Sequence, residues 1–183
     1  MQTPILQTER LILRPLKIAD AEEAFNSWTG DPEVAKYMRW SVHESVNDTI
    51  DHWLSGADEA SQSDKTYDWG IIYKQTGEIV GSGGVHYNAD EDIFEIGYGL
   101  AKRYWGRGIA TEAAQEFVRF VKGELNLANL CGKHAIENVA SGKILQKLGF
   151  KYIGDGTYDS FDGLRTFNCK EYILDLTNLP KEG

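Results

Sequence analysis

Hydrophobic positions recur along this chain with two periods, and the order of the resulting segments predicts its architecture. Alternating apolar and polar residues predict strands, whereas apolar residues three or four positions apart predict helices. Strands are expected at 10–16, 67–73, 78–87, 93–100, 130–136, 152–158 and 165–175. Helices are expected at 20–28, from 31, at 44–56, from the turn at 106–108 to about 123, and at 139–148. This order predicts an α/β domain over residues 1–183, with a mixed sheet that carries helices on its faces.

The segment 104–114 carries the clearest chemical signal, and it joins a strand pattern to an apolar helix pattern. Gly106 and Gly108 flank Arg107, and glycine lets a backbone turn approach a ligand closely because it has no Cβ. The amides of residues 107–110 would then lie at a helix N-terminus, where unpaired N–H groups and the helix dipole favour a phosphate. Arg107 adds a positive charge, so the segment predicts a turn that binds a pyrophosphate.

Three interpretations of this turn compete. The simplest is a glycine turn that only caps a helix. The second is a dinucleotide site, but Thr111 stands where the G-x-G-x-x-G pattern needs its third glycine. The acidic residue at the expected distance, Glu124, falls near the end of a helix instead of a strand. The third is a loop that binds a different phosphate-bearing coenzyme. This interpretation depends on a second motif further along the chain.

The second motif runs from Asn138 to Phe150 and reads N-x-x-S-x-x-x-L-x-K-x-G-F. Asn138 directly precedes an apolar helix pattern, and Asn is among the best N-cap residues. Its side chain has donor and acceptor atoms, so it could accept from the helix and donate to a ligand. Together the two motifs resemble the GNAT (GCN5-related) N-acetyltransferase family, in particular its RimJ/RimL-type branch, over residues 6–176.

This resemblance implies a GNAT fold with a central, mostly antiparallel sheet, and acetyl-CoA as cosubstrate. It implies that the coenzyme is bound by Leu100, Trp105, Gly106, Arg107, Gly108, Ile109, Ala110, Thr111 and Asn138. Trp105 departs from the Gln or Arg that opens the family's loop pattern, although an aromatic residue is familiar there in the RimJ/RimL-type branch.

Acetyl transfer to an amine requires a neutral amine, a donor for the developing oxyanion and a proton for the departing thiolate. The resemblance implies Glu95 as a base acting through water, although Glu95 also fits as the outward residue of an alternating strand. It implies that Ser141 lies near the sulfur and that the Leu100 amide contacts the thioester or pantetheine. A bulge at Gly99 is expected to free that amide from the sheet. Ser141 is therefore a candidate for the acid that protonates the departing thiolate. Tyr98, Tyr152 and Tyr158 are the alternatives.

Charge and cysteine content narrow the class of protein. With 19 basic and 28 acidic residues, the formal net charge is −9, which argues against a nucleic-acid partner bound through its phosphates. Cys131 and Cys169 have no metal-ligand spacing, so no metal is expected. The chain shows no signal peptide and no long apolar run, which favours a reduced, cytoplasmic protein without a membrane partner.

We therefore expect an acetyl-CoA-dependent N-acetyltransferase, monomeric or homodimeric, in which the amine attacks directly in a ternary complex. The resemblance favours an α-amine on a peptide or protein N-terminus. An α-amine, with a pKa of about 8, is also deprotonated more easily than a lysine amine at about 10.4. A small amine (a polyamine, an antibiotic or an amino acid) is the alternative acceptor. A non-catalytic acyl-CoA-binding module is the alternative class.

Overall fold

A computed structural model describes residues 2–56 and 60–178, and a sheet of eight strands lies at the centre of this part of the chain. The strands are β1 (Leu6–Gln7), β2 (Leu11–Arg14), β3 (Thr66–Tyr73), β4 (Ile79–Asn88), β5 (Ile93–Leu100), β6 (Asn129–Ala135), β7 (Lys151–Asp159) and β8 (Thr166–Asp175). They lie in the order β1-β2-β3-β4-β5-β6-β8-β7. All of these neighbours pair antiparallel except β5 with β6. The expected mixed, mostly antiparallel sheet is confirmed.

The helices are short before β3 and longer after β5. Before β3, the described part of the chain contains α1 (Ala21–Ala24), α2 (Pro32–Ala35) and α3 (Val46–Thr49), and after β5 it contains α4 (Ile109–Phe120) and α5 (Val139–Lys147). Wider π-helical turns extend α1 over Phe25–Thr29, α3 over Ile50–Leu54 and α4 over Val121–Leu125. The helix periodicity in the sequence therefore locates these segments but not the change of pitch inside them.

Most predicted elements are present with ends shifted by one or two residues, and the first strand differs most. The segment predicted as one strand at 10–16 pairs only over Leu11–Arg14, since Pro15 has no amide to continue the ladder. The two-residue strand β1 was missed because two residues are too few to show a period. The predicted domain limits of 1–183 include residues 1, 57–59 and 179–183, which lie outside the described part.

One face of the sheet packs on α4 through aromatic rings. Trp69 of β3 stacks on Phe117 with 5.1 Å between ring centroids, and Phe120 meets the Trp69 ring edge-on at 5.2 Å. At Gly83 of β4 an added Cβ would lie 2.9 Å from Phe117, so the glycine permits this close approach. The helix α5 lies on the same face, where Leu145 occupies the space beside Gly132.

The early segments cover the opposite face. Leu16 lies beside Gly70 of β3, and Met38, which follows α2, lies beside Gly99 of β5. The amide of Ile79 at the start of β4 donates to the Glu23 carboxylate of α1 at 2.9 Å. The expected arrangement of helices on both faces of the sheet is confirmed.

The pair β5–β6 leaves a gap in the middle of the sheet. Among the described strands it is the one parallel pair, and a single residue pair, Glu95 with Cys131, is in register. The two strands separate beyond this pair. Because α4 follows β5 and α5 follows β6, the N-termini of both helices lie at the carboxyl ends of the separating strands. In open sheets ligands bind at such a position.

Candidate active site

Two backbone amides of β5 point into this gap. The amide of Ala101, just after β5, donates to the Val80 carbonyl of β4 at 2.8 Å. Because the hydrogen-bonding groups of successive residues point to opposite sides of a strand, the amides of Leu100 and Tyr98 point away from β4, and β6 pairs with neither residue. The β4–β5 pairing continues without a register shift through Gly99, so the expected bulge is wrong. The divergence of β6, instead, frees the Leu100 amide.

The glycine turn has the conformation that its sequence requires. Gly106 and Gly108 have φ angles of 74° and 75°, in the left-handed region that is costly for residues with a Cβ. Gly108 is the N-cap of α4, and the first bond of that helix runs from the Glu112 amide to the Gly108 carbonyl at 3.0 Å. The amides of residues 108–111 come before that bond and lie at the positive end of the helix dipole.

An ion pair that the sequence did not reveal fixes this end of α4. Glu112 accepts hydrogen bonds from the Thr8 hydroxyl, from the Arg10 amide at 2.9 Å and from Arg10 Nε at 2.6 Å. Arg10 Nη1 also donates to the Arg107 carbonyl at 3.0 Å. Burial acts to raise the pKa of Glu112, but the bonds from Thr8 and Arg10 hold it below its usual value. No local pattern identifies partners that lie 102 residues apart.

Aromatic side chains fix the start of the turn. Tyr104 is buried, and the guanidinium groups of Arg103 and Arg107 lie 5.2 and 5.1 Å from the centre of its ring. Trp105 is half exposed, and its indole N–H donates to the Leu100 carbonyl at 2.8 Å. The departure at Trp105 from the family's loop pattern therefore has a structural consequence, because this side chain ties the turn to the end of β5.

On the other side of the gap, Asn138 caps α5 as expected. Its side-chain oxygen accepts from the Ser141 amide at 3.3 Å. This bond uses the acceptor atom of the side chain, so the amide nitrogen is the donor that a ligand would use. Both helix ends at the gap thus present N–H groups, from the backbone of α4 and from the Asn138 side chain.

Ser141 and Tyr98 meet across the gap. The Tyr98 hydroxyl donates to the Ser141 carbonyl at 3.1 Å, and it lies 3.3 Å from the Ser141 hydroxyl. Burial raises the pKa of Tyr98 well above its usual value, so this phenol stays protonated. Of the other two candidate tyrosines, Tyr152 is exposed and bonded to Asp155, and Tyr158 donates to the Tyr37 carbonyl.

Glu95 lies on the face opposite α4, and an arginine accompanies it. Arg39 Nη2 is 3.5 Å from Glu95 Oε2, and the Arg39 guanidinium lies 4.9 Å from the centre of the Tyr158 ring. The segment after α2 that carries Arg39 is held by Arg165, which donates to carbonyls of residues 35, 38 and 40 at 3.2, 3.2 and 2.9 Å. Sequence analysis missed Arg39 because nothing local distinguishes it from a solvent-exposed cation.

Two further polar residues continue from Glu95 across the neighbouring strands. His86 of β4 is the register partner of Glu95, and its Nε2 atom lies 3.0 Å from Asp68 Oδ2 of β3. Burial acts to lower the pKa of His86, but the carboxylates of Asp68 and Glu95 raise it above its usual value. We call Asp68, His86 and Glu95, with Arg39, the acceptor-side cluster, because they lie on the sheet face that α4 does not cover.

No group of three or more His, Cys, Asp or Glu within residues 2–56 and 60–178 is placed to hold a metal ion. In the same part of the chain, no helix is long and apolar enough to cross a membrane.

The fold and the site together define a class of protein. The gap combines a parallel pair of strands that is in register at a single residue pair, a left-handed glycine turn at one helix end and an Asn cap at the other. A sequence profile described as "Acetyltransferase (GNAT) domain" matches residues 10–151. The chain therefore belongs to the GNAT acetyltransferase family, and it is an acetyl-CoA-dependent acetyltransferase.

Relatives and solved structures agree with this assignment. An uncharacterized N-acetyltransferase from Bacillus licheniformis is 35% identical over 150 residues, covering 81% of this chain and 83% of the relative. Another from Bacillus subtilis is 33% identical over 152 residues, covering 82% and 85%. A GNAT-family acetyltransferase structure from Bacillus anthracis superposes with a TM-score of 0.80 at 22% identity, covering 96% of this chain and 100% of the other.

A structure titled ribosomal-protein-S5-alanine acetyltransferase, from Vibrio fischeri, superposes with a TM-score of 0.79 at 17% identity and covers 97% of this chain and 100% of the other. At identities this low, similarity to the solved structures shows the fold alone.

Proposed function

We propose that this protein transfers the acetyl group of acetyl-CoA to an α-amine at a peptide or protein N-terminus. The observation that carries the proposal is the gap between β5 and β6, which has coenzyme-binding features on one side and Glu95 on the other. Free backbone N–H groups line the coenzyme side of this gap. A half-buried carboxylate, with 18% of its side chain exposed, lies on the acceptor side.

The coenzyme is proposed to bind along β5 and to end at α4. The amides of residues 108–111 and the Arg107 side chain would hold the pyrophosphate, because donors and dipole there favour an anion. The amides of Tyr98 and Leu100 and the Asn138 side chain would bond the pantetheine arm. The other proposed coenzyme contacts are Trp105 and Gly106, at the start of the turn.

The chemistry follows from what lies at the gap. The amine nitrogen bonds to the thioester carbonyl carbon, and the carbon–sulfur bond breaks. Glu95 takes a proton from the amine through water. The Ser141 hydroxyl, fixed beside Tyr98, hydrogen-bonds the departing sulfur. A serine hydroxyl is a weak acid, so its role here is to hydrogen-bond the sulfur. Ser141→Ala removes this bond and should lower turnover while coenzyme affinity changes little.

Two arguments favour an α-amine as the acceptor. The RimJ/RimL-type resemblance of the loop and of the Asn138 motif is the first, and the structural neighbour titled an alanine acetyltransferase of a ribosomal protein accords with it. The second is energetic. Making a lysine amine neutral costs about 2.4 pKa units more than for an α-amine, or ~3.3 kcal/mol, so one carboxylate suits the easier substrate better.

A panel of acceptors tests this proposal. Thiol release from acetyl-CoA would be followed with N-terminally free peptides, N-blocked lysine peptides, spermidine and free amino acids. We expect the largest kcat/KM for the free N-terminus. A preference for spermidine or lysine would show that the proposed acceptor class is wrong, but the assignment as an acetyltransferase would still hold. Coenzyme binding without acceptor-dependent thiol release would instead favour a non-catalytic acyl-CoA-binding module.

A further inference from the structure

We propose that His86, held by Asp68, conducts the proton released by the reaction from Glu95 to solvent. This inference rests on the proposed function, since it assigns a route to a proton that amine acetylation must release. It adds a positioning pair, His86 and Asp68, to the residues already placed around the gap.

The balance of the reaction requires such a route. A protonated amine loses two protons when it becomes an amide: one ends on the sulfur of coenzyme A, and the other must leave the site. Glu95 is the group proposed to accept a proton from the amine. Its side chain is only 18% exposed and lies beside Arg39, so direct exchange with bulk water is restricted.

His86 is placed to receive that proton. It lies directly opposite Glu95 on the neighbouring antiparallel strand, so the two side chains project from the same face. Side chains of such a pair start from Cβ atoms about 4.5–5.5 Å apart. The register pair Gly84 and Gly97 lies next to it on one side, and an added Cβ at Gly97 would meet no atom within 4 Å, which leaves open space on this face next to Glu95.

Asp68 holds the imidazole from the other side. Its Oδ2 atom lies 3.0 Å from His86 Nε2. Gly84, the register partner of Asp68, makes room for this carboxylate, because a Cβ there would lie 2.8 Å from Asp68 Oδ1. The pair is half exposed, with 44% of the His86 side chain and 35% of the Asp68 side chain reaching solvent. A proton on His86 can therefore pass to water.

Proton affinities increase in the direction of transfer. Ordinary pKa values are about 4.3 for a glutamic acid and about 6.5 for an imidazolium, so a proton passes from carboxyl to imidazole readily. The charged groups that face His86 are Asp68 from β3 and Glu95 from β5, with Arg39 behind Glu95. Burial acts to lower the pKa of His86, but both carboxylates raise it above its usual value.

The two buried histidines are bonded to groups away from Glu95. His134 is buried and bonds the Ala135 carbonyl through Nδ1 at 2.7 Å. His43 is buried among the early helices and lies 2.9 Å from the Thr49 hydroxyl. Neither is a register partner of Glu95.

Single-turnover rates with acetyl-CoA and an N-terminally free alanyl peptide, measured from pH 5.5 to 9, test the route. In His86→Gln we expect the rate at pH 7 to fall about tenfold or more, which is less than the loss expected when the base itself is removed. Coenzyme affinity, measured by calorimetry, should not change. Added imidazole should restore much of the rate, because a soluble base replaces the lost one. The exposed His52→Gln is the matched control and should behave as wild type.

The second variant separates the route from a merely structural role. His86 must be neutral to accept a proton, so activity rises as pH increases through its pKa. Asp68→Asn removes one group that raises this pKa and should move the rise to lower pH. A wild-type rate in His86→Gln at every pH, a loss that imidazole does not restore, or an unmoved profile in Asp68→Asn would each overturn the proposal.

Nuclear magnetic resonance titration of the His86 imidazole distinguishes failure of this proposal from failure of the proposed function. The measurement needs no acceptor. If His86 and Glu95 face each other, Glu95→Gln lowers the pKa of His86, and an unchanged value would remove the geometric basis of the route. Absence of turnover in wild type with every amine tested would instead contradict the proposed function.

Discussion

The coenzyme side and the acceptor side of the gap are built differently. On the coenzyme side, backbone amides at residues 108–111 and in β5 supply most of the proposed contacts, and they belong to one continuous segment from β5 to the start of α4. The acceptor-side cluster consists of side chains from β3, β4, β5 and the segment after α2. A backbone site tolerates changes of side chain as long as the turn keeps its conformation. A side-chain site changes its chemistry with each substitution.

This difference explains which site residues could be predicted from the sequence. Trp105 departs from the family's loop pattern, yet the turn around it keeps two left-handed glycines and a helix end. Arg39 and His86, by contrast, belong to no motif, and only the sheet register and the packing of the segment after α2 bring them near Glu95. We therefore expect substitutions to have different signatures on the two sides: lost affinity for coenzyme on one, altered turnover and pH dependence on the other.

The largest expected effect is on the acceptor side. Glu95→Gln removes the proposed base, so kcat at pH 7 should fall on the order of 100-fold, a typical contribution of general base catalysis. Coenzyme affinity should stay the same, and turnover should recover partly at high pH, where the amine loses its proton without help. The exposed Asp90→Asn, which removes a nearby carboxylate of the β4–β5 loop, is the control. Wild-type turnover in Glu95→Gln would remove the acceptor-side assignment.

The next effect concerns the backbone turn. Gly108→Val places a β-branched residue at a φ angle of 75°. This conformation costs a residue with a Cβ ~1–2 kcal/mol, so we expect the turn to rearrange and the Kd for coenzyme A to rise about tenfold or more. Calorimetry on the folded variant measures this change.

Gly77→Val is a matched control, because Gly77 has a φ angle of 76° and lies in the turn between β3 and β4. It should lose comparable stability and keep its coenzyme affinity. Equal losses of affinity in both variants would mean that strain anywhere in the fold weakens binding. The result would then give no support to a coenzyme site at Gly108.

A smaller effect is expected at the ion pair that joins the N-terminus of α4 to the segment before β2. Glu112→Gln weakens the charged bonds to Thr8 and Arg10, and the free energy of unfolding should fall by about 1–2 kcal/mol. The pKa of Glu112 is lowered in the folded protein, so this contribution is present above about pH 4.3 and is lost as the pH falls through the folded value. Urea unfolding at pH 7 and at pH 3.5 should show the difference shrinking, and exposed Glu137→Gln should show none.

The smallest effect is expected at the Arg107 side chain. Arg107→Ala removes a charge but leaves the amides and the helix dipole, so coenzyme affinity should fall only a few-fold and the loss should diminish at high salt. Arg103→Ala is the control, because Arg103 stacks on the same Tyr104 ring. If Arg107→Ala weakens binding as much as Gly108→Val, the coenzyme side is also a side-chain site.

The amino-acid sequence alone is enough to predict the order of most elements, the glycine turn, the Asn138 cap and the class of enzyme. These features are local: a helix period, a left-handed glycine or an N-cap needs only a few consecutive residues. The position of Glu95 in a strand was also predictable, because alternation assigns it to the face opposite its neighbours.

The shape of the gap and the residues around it depend on contacts between distant segments. The bulge expected at Gly99 is absent from the β4–β5 pairing, and the divergence of β6 frees the Leu100 amide instead. The bonds between Arg10 and Glu112 and between Tyr98 and Ser141 join residues separated by 102 and 43 positions. Such contacts depend on strand register and helix packing over the whole sheet, and a single sequence records neither in any short segment.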